Sequence, residues 1–432
     1  MEPESPQLAS NTKPDPARPR RQILMFRSFY HRDFSVFWTG NFLSNIGTWM
    51  QNIALGWLIL ITTNSPFLLG LNGFLAQIPS LVFSLPGGAI ADRLNRRKLM
   101  MTTQSAMMLL ALLLAILTSF RQITITEILS ISLLTGVATA LNYPAYQALI
   151  PELVPHEDLL NAIALNSAQF NMSRAIGPTV AGIVLGTLGT AACFYLNTVS
   201  YLALIIALLM IAIPPRHKHP SIRFWRSVFD GVRYVNEHRL LIVLLTVPAF
   251  LSLFGLPVIV LMPVIARNML HVGASGLGYL MGGAGVGAVI AALAIAAKGT
   301  LEHRGRLILT SAALFSLSLV LLAGSHSFWW AFFLLMVMGA TIVGTLTLTN
   351  MTLLVTTPQE LRGRIMGMYY VAMTGLLPFG SLQAGAVAQA LGTRFALAFG
   401  GAACLAYFSI LQIFLNRLRQ AVRLPRPSHT GS

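Results

Sequence analysis

A chain of 432 residues that is 55% hydrophobic and 10% charged, with a mean hydropathy of +0.70, cannot hide its apolar surface in a water-soluble core, so lipid is its solvent. A large soluble helical domain would need polar stripes on most helices, and most of the long apolar runs here lack them. The net charge of +16 would point to nucleic acid in a soluble protein, but the placement of the cations along the chain removes that reading.

In chain order, residues 1–25 hold five prolines and scattered charges with too little apolar content to fold, and read as a disordered tail with no cleavable signal peptide before the first helix. Runs of membrane length then begin near Phe34, Pro66, Leu99, Ile128, Asn161, Thr190, Leu240, Gly276, Leu307, Phe328, Leu361 and Thr393. About twelve transmembrane helices are predicted. The expected organisation is an all-α membrane protein with a first six-helix half over 26–213, a linker over 214–239, a second half over 240–416 and a basic tail over 417–432.

With Met1 on the inner side, 25 of the 29 Lys and Arg residues fall in inner segments, against Arg121, Arg267 and Arg394 in outer loops and Arg174 inside a span. That asymmetry places both termini in the cytoplasm and accounts for the basic charge without nucleic acid. Cys193 and Cys404 fall in predicted spans and read as buried thiols, not a disulfide. His217 and His219 lack further ligands, so no metal or other cofactor is expected.

An internal repeat appears at an offset of 203 residues: Ala181 to Thr190 matches Ala384 to Thr393 at six of ten positions, and Pro155, Glu157 and Gly177 find Pro358, Glu360 and Gly380 in the same register. Two pseudo-symmetric halves follow. The second half has no acid at the place matching Asp92: Lys298-Gly-Thr-Leu-Glu-His-Arg304-Gly305-Arg306 stands there.

Gly88-Ala-Ile-Ala-Asp92-Arg93-Leu94-Asn95-Arg96-Arg97-Lys98, lying between two membrane-length runs, resembles the loop signature G-x-x-x-D-R-x-G-R-R/K of the major facilitator superfamily, with Asn95 where that pattern has Gly. Asn142-Tyr143-Pro144 to Pro155, Asn161 to Ser167, Arg174-Ala-Ile-Gly177-Pro178-Thr-Val-Ala-Gly182 and Asn41 to Gln51 are similar to the bacterial branch containing the enterobactin exporter and related drug exporters. The resemblance covers Phe26 to about Arg419. It implies a secondary transporter of the bacterial plasma membrane, not an enzyme, that exports a siderophore, a drug or another amphiphile by alternating access. It also implies a monomer working among membrane lipids, with protons as coupling ion. A lipid or lysolipid flippase is the alternative, and a membrane sensor or enzyme lacks any catalytic cluster to support it.

Candidate site residues follow from the motifs and from polar spacing. Gly88, Asp92, Arg93, Arg96 and Arg97 form a gating motif whose partner, by family analogy, is the start of the eleventh helix, where Gly363 and Gly367 permit close approach. Thr357-Pro358-Gln359-Glu360 reads there as a capping box. Gly177, Pro178 and Gly182 suggest a bend in the fifth helix, or an ordinary Gly/Pro kink. Asn41, Asn45, Thr48 and Asn52 follow helical spacing on the first helix, as do Thr135, Thr139, Asn142 and Tyr146 on the fourth and Thr341, Thr345 and Thr349 on the tenth. Such rows face a substrate cavity or glue helices together. Arg174 is either an anchor for an anionic group of the substrate or a structural pair for backbone carbonyls or Glu152. No G-x-x-x-x-G-K-[ST] loop exists, which excludes ATP hydrolysis by this chain. All thirteen Asp and Glu residues lie in tails, loops or helix ends, leaving Asp33, Asp92 and Glu152 as proton-carrying candidates.

Overall fold

The computed structural model describes residues 24–93, 95–211, 233–298 and 304–422; the side chains of 24–25, 84–93, 298 and 414–422 lie outside its described part. Long helices without strands fill it. We number the long helices α1 Arg32–Thr63, α2 Pro66–Arg93, α3 Arg96–Ser119, α4 Ile125–Leu149, α5 Leu159–Thr187 and α6 Thr190–Met210. The second set is α7 Arg239–Met269, α8 Ala274–Lys298, α9 Arg304–Ala323, α10 Phe328–Thr356, α11 Gln359–Leu391 and α12 Thr393–Val422. Ten of them contain a stretch long and apolar enough to cross a membrane. The exceptions are α1 and α5, in which Asn, Gln, Ser and Arg residues dilute the apolar sequence. A polar helix survives in lipid only where its polar face meets protein or trapped water, so these two must face inward.

The packing obeys that requirement. Among the first six helices, α1 lies against α5 and α6, α2 against α4, and α3 against α4 and α6; among the last six, α8 and α9 lie against α10, and α12 against α9. Two seams join the halves: α5 on α8, and α2 on α11. Both depend on glycine. A Cβ added to Gly182 would meet the Gly278 Cα at 2.5 Å, and one added to Gly70 would meet the Ser381 carbonyl oxygen at 2.5 Å. At that spacing backbones touch, which is how helices associate when lipid removes the hydrophobic drive.

The turns that join helices explain where they stop. Thr124 and Glu127 form a capping box at the start of α4, with the Thr124 hydroxyl accepting from the Glu127 N–H and the Glu127 carboxylate accepting from the Thr124 N–H. The capping box expected at Thr357 does not form. Only Thr357 and Pro358 separate α10 from α11, so Thr357 instead closes α10 with its N–H on the Leu353 carbonyl, and its buried hydroxyl has no partner among the described residues. Helix α5 runs as one α-helix through Pro178. Irregular turns occur in the second half: π-turns at Leu251–Gly255 and Ile265–Met269 within α7, and at Val371–Gly375 within α11.

Candidate substrate site and gate

Helix α5 divides into faces by its contacts. Met172, Ile176 and Ile183 are exposed on the outer side. Ser173 donates to the Phe42 carbonyl of α1 at 3.4 Å, and Gly177 lies against Trp49 of α1. On the other flank, Ala175 lies against Gly285 and Gly182 against Gly278, both on α8. Ser167, Asn171 and Arg174, at i, i+4 and i+7, therefore point between α1 and α8 into the bundle. Ser167 is exposed, while Asn171 and Arg174 are partly so. Polar side chains accessible on an inward face of a membrane helix line an internal water-filled space.

Arg174 stands near the middle of the 29-residue α5. No hydrogen bond or ion pair joins its guanidinium to any described residue. Glu152, the expected structural partner, is taken by Arg96: Nη1 of Arg96 lies 2.5 Å from Glu152 Oε1 and 3.2 Å from the Ala148 carbonyl oxygen. Pro178 lacks an N–H, so the carbonyl of Arg174 also loses its usual donor four residues on.

The polar row on α1 separates into two kinds of residue. Asn41 is buried and donates to Gln169 at 3.0 Å and to the Tyr146 hydroxyl at 3.2 Å, and that hydroxyl donates to Asn166. Thr48 sits 3.3 Å from the Tyr201 hydroxyl of α6. Asn45 and Asn52, seven residues apart on one face, are half-buried and exposed respectively. On α4, Asn142 accepts from Thr103 of α3 at 2.9 Å, while Thr139 donates to the Thr135 carbonyl of its own helix at 2.8 Å. Thr345 is wholly buried on α10 and donates to the Thr341 carbonyl at 2.8 Å.

Side-chain pairs that composition did not single out hold the first half together. Asn197 of α6 donates to Gln51 at 2.7 Å, and Ser200 donates to Asn197 at 2.8 Å. Asp158 is buried before α5 with Arg27 at 2.8 Å and His31 at 2.7 Å. A reader of spacing could have found Asn166, Gln169 and Ser173, which follow a helical stripe. Nothing local marks Asp158, because its partners lie more than 120 residues away.

The two ends of the bundle differ. At the end opposite the chain termini, Ser65 donates to Gln389 at 2.9 Å and Arg267 donates to the Leu60 carbonyl at 3.2 Å, both across the halves. The glycine contacts of the α5–α8 seam lie in the half of the bundle nearest that end. At the termini end, an added Cβ at Gly363 or Gly367 meets no described atom within 4 Å; the side chains of the expected partner, the Asp92 end of α2, lie outside the described part. These glycines share a face of α11 with Tyr370, whose ring stacks on Tyr143 of α4 at 5.4 Å. Gly88, Asp92 and Arg93 belong to the backbone of α2, but their side chains lie outside the described part. Arg97 donates to the Leu209 carbonyl at the end of α6 at 2.8 Å. The described cations of the loop motif thus tie α3 to the ends of α4 and α6 in their own half.

Comparison with known proteins fits this architecture. The chain is 32% identical over 166 residues to the staphyloferrin A transporter of Staphylococcus aureus, covering 38% of this chain and 42% of that one. It is 25% identical over 342 residues to the enterobactin exporter of Shigella boydii, covering 78% and 81%, and 22% identical to macrolide efflux protein A of Streptococcus pyogenes, covering 54% and 59%. Among solved structures, the nucleoside transporter NupG shares the fold with a TM-score of 0.70 at 11% identity, over 89% of this chain and 99% of that one. The model of the transmembrane secretion effector family matches residues 25–426. An inward-facing polar site between glycine-sealed halves and a family match over nearly the whole chain lead to one assignment: the protein belongs to the transmembrane secretion effector family of the major facilitator superfamily, a family of transporters.

Proposed function

We propose that this multi-pass membrane transporter exports an amphiphilic small molecule, a siderophore or a drug, from the bacterial cytoplasm by alternating access. Its two termini lie on the cytoplasmic side of the plasma membrane, and it works as a monomer. The observation that carries the reading is the closed end opposite the termini, where glycine contacts and two cross-half hydrogen bonds join the halves. Toward the termini end, among the described residues, the halves meet through the Tyr143–Tyr370 stack, while an added Cβ at Gly363 or Gly367 meets no described atom. We read this as an inward-open carrier with its polar site on α1 and α5. In the opposite state, Asp92 would meet the start of α11, where a carboxylate gains about 0.3–1 kcal/mol from the helix N-terminus. The siderophore and drug exporters among the relatives support export over import.

Proton antiport is the proposed coupling, with Asp33, Asp92 or Glu152 as carriers. Glu152 starts from a close pair with Arg96, so a proton there must displace a cation. Asp33, in the first turn of α1, is partly exposed. The test is accumulation of candidate siderophores and drugs in cells lacking the gene, with and without a protonophore. Higher retention that the wild-type gene reverses supports export; unchanged retention of every compound removes it.

A lipid or lysolipid flippase is the second reading. An open apolar groove of about 480 Å³ on the outer side of the α5–α8 seam, lined by Ile176, Val180, Tyr279, Val286, Ile290 and Phe332, suits an acyl chain. Movement of a labelled lysophospholipid by the reconstituted protein, without movement of drugs or siderophores, would select it.

A further inference from the structure

We infer that the transported molecule is an anion whose negative charge pairs with Arg174, and that the membrane potential therefore drives its export. This deepens the carrier reading above and rests on it.

A cation midway along a membrane helix is costly unless it finds a counter-charge. Arg174 has none among the described residues, although it lies on an accessible inward face beside Asn171 and Ser167. The chain cannot supply one from mid-membrane. Asp33, Glu127 and Glu360 sit in the first turns of α1, α4 and α11, Asp92 ends α2, and the remaining acids fall in tails or connections. Nor is the guanidinium a plain helix-packing group. Its neighbours Ser173, Ala175 and Gly177 make the contacts to α1 and α8, while Arg174 projects between them. A planar fork with free donors matches a carboxylate bidentately. The uncharged amides Asn45 and Asn52 on α1 supply hydrogen bonds without competing for the cation.

The charge balance then fixes the energetics. Arg174 belongs to the carrier and makes no net journey, so each cycle moves the charge of the substrate. An anion leaving a cytoplasm of negative potential runs downhill. At equilibrium that supports about a tenfold gradient per charge for each ~59 mV. A coupled proton moving inward would add to the same current, so outward transport of an anion is potential-driven with or without antiport.

The test uses the full-length protein in liposomes, with a potassium gradient and valinomycin setting a potential negative on the termini side. The probes are a citrate-based carboxylate siderophore and its uncharged methyl ester, with a neutral and a cationic drug as controls. The expected result is that the acid moves, the ester moves at least tenfold more slowly, and the acid gradient follows the potential. Arg174→Gln should abolish acid flux, and Arg174→Lys should keep part of it, because charge persists without the fork. Equal movement of acid and ester by the wild type overturns the proposal even if both variants fail to fold. So does acid flux indifferent to the potential, or movement of only the neutral or cationic drug. Movement of no compound at all would count against the carrier reading itself.

Discussion

The first six helices and the last six share a repeat but are held together differently. In the first half, side chains bridge helices: Asn41 to Gln169 and Tyr146, Gln51 to Asn197, Thr103 to Asn142, Ser132 to Asn72. In the second half the described cross-helix bonds come from hydroxyls, not amides: Ser252 to the Met373 carbonyl, Tyr369 to the Leu346 carbonyl and Tyr407 to Thr246, while Thr341, Thr345 and Thr349 turn back along α10. Glycine brings backbones together in both halves: Gly136 lies against the Ala76 carbonyl in the first, Gly287 against the Met336 carbonyl and Gly339 against that of Ala284 in the second. The π-turns also belong to the second half. The difference teaches a division of labour. Amide bridges tie the helices of the first half, which carries Arg174, and π-turns interrupt those of the second.

The comparison breaks most sharply at the seam between the halves. Gly182→Leu would drive a side chain into the backbone of Gly278, now 2.5 Å from where the Cβ would stand. Overpacking costs about 1–3 kcal/mol, enough to lower the far-closed population roughly 5- to 150-fold. Transport should fall to a few per cent while the protein still inserts; normal transport would show that the seam need not close.

A partly buried ion pair comes next. The side chain of Glu152 is 9% exposed and that of Arg96 23%, so Arg96→Gln takes a cation from beside a shielded carboxylate. The expected loss is about 3 kcal/mol of stability, read from thermal unfolding in detergent. The double variant Arg96→Gln with Glu152→Gln should recover much of it. Additive losses would mean that the pair is not coupled.

The cross-helix amides should cost less. Asn197→Leu leaves the buried Gln51 without its donor, at about 1–3 kcal/mol, and Gln51→Leu added to it should be close to neutral. The smallest effect belongs to the second half. Thr345→Val removes a hydroxyl bonded only within α10, and should change stability by under about 1 kcal/mol. If Thr345→Val destabilised as much as Asn197→Leu, the contrast between the halves would not hold.

Much of the architecture was legible before the structure. The starts of α2, α6, α10 and α12 fall at Pro66, Thr190, Phe328 and Thr393 as the apolar runs indicate, because a membrane imposes length and leaves few ways to end a helix. The Asn row of α1 was legible as polar, but not its division. Whether Asn41 bonds to Gln169 or Asn45 looks into open space depends on helices more than 100 residues away. Spacing gave Gly177, Pro178 and Gly182 as a bend or an ordinary kink; it did not show that Gly177 packs on Trp49 of α1 and Gly182 on Gly278 of α8. The cross-half contacts of Arg267 and Ser65 left no sequence signal, since each is one polar residue at a helix end whose partner is a distant carbonyl or amide.

The central claim is that the far ends are closed in the resting carrier and must part for transport. Ser65→Cys with Gln389→Cys places two thiols where a 2.9 Å hydrogen bond now crosses the halves, and the native Cys193 and Cys404 are buried and free. Mild oxidation of the substrate-free double variant should form the cross-link and stop export, and reduction should restore it. Full export by the cross-linked protein, or no cross-link in the resting state, would contradict the account.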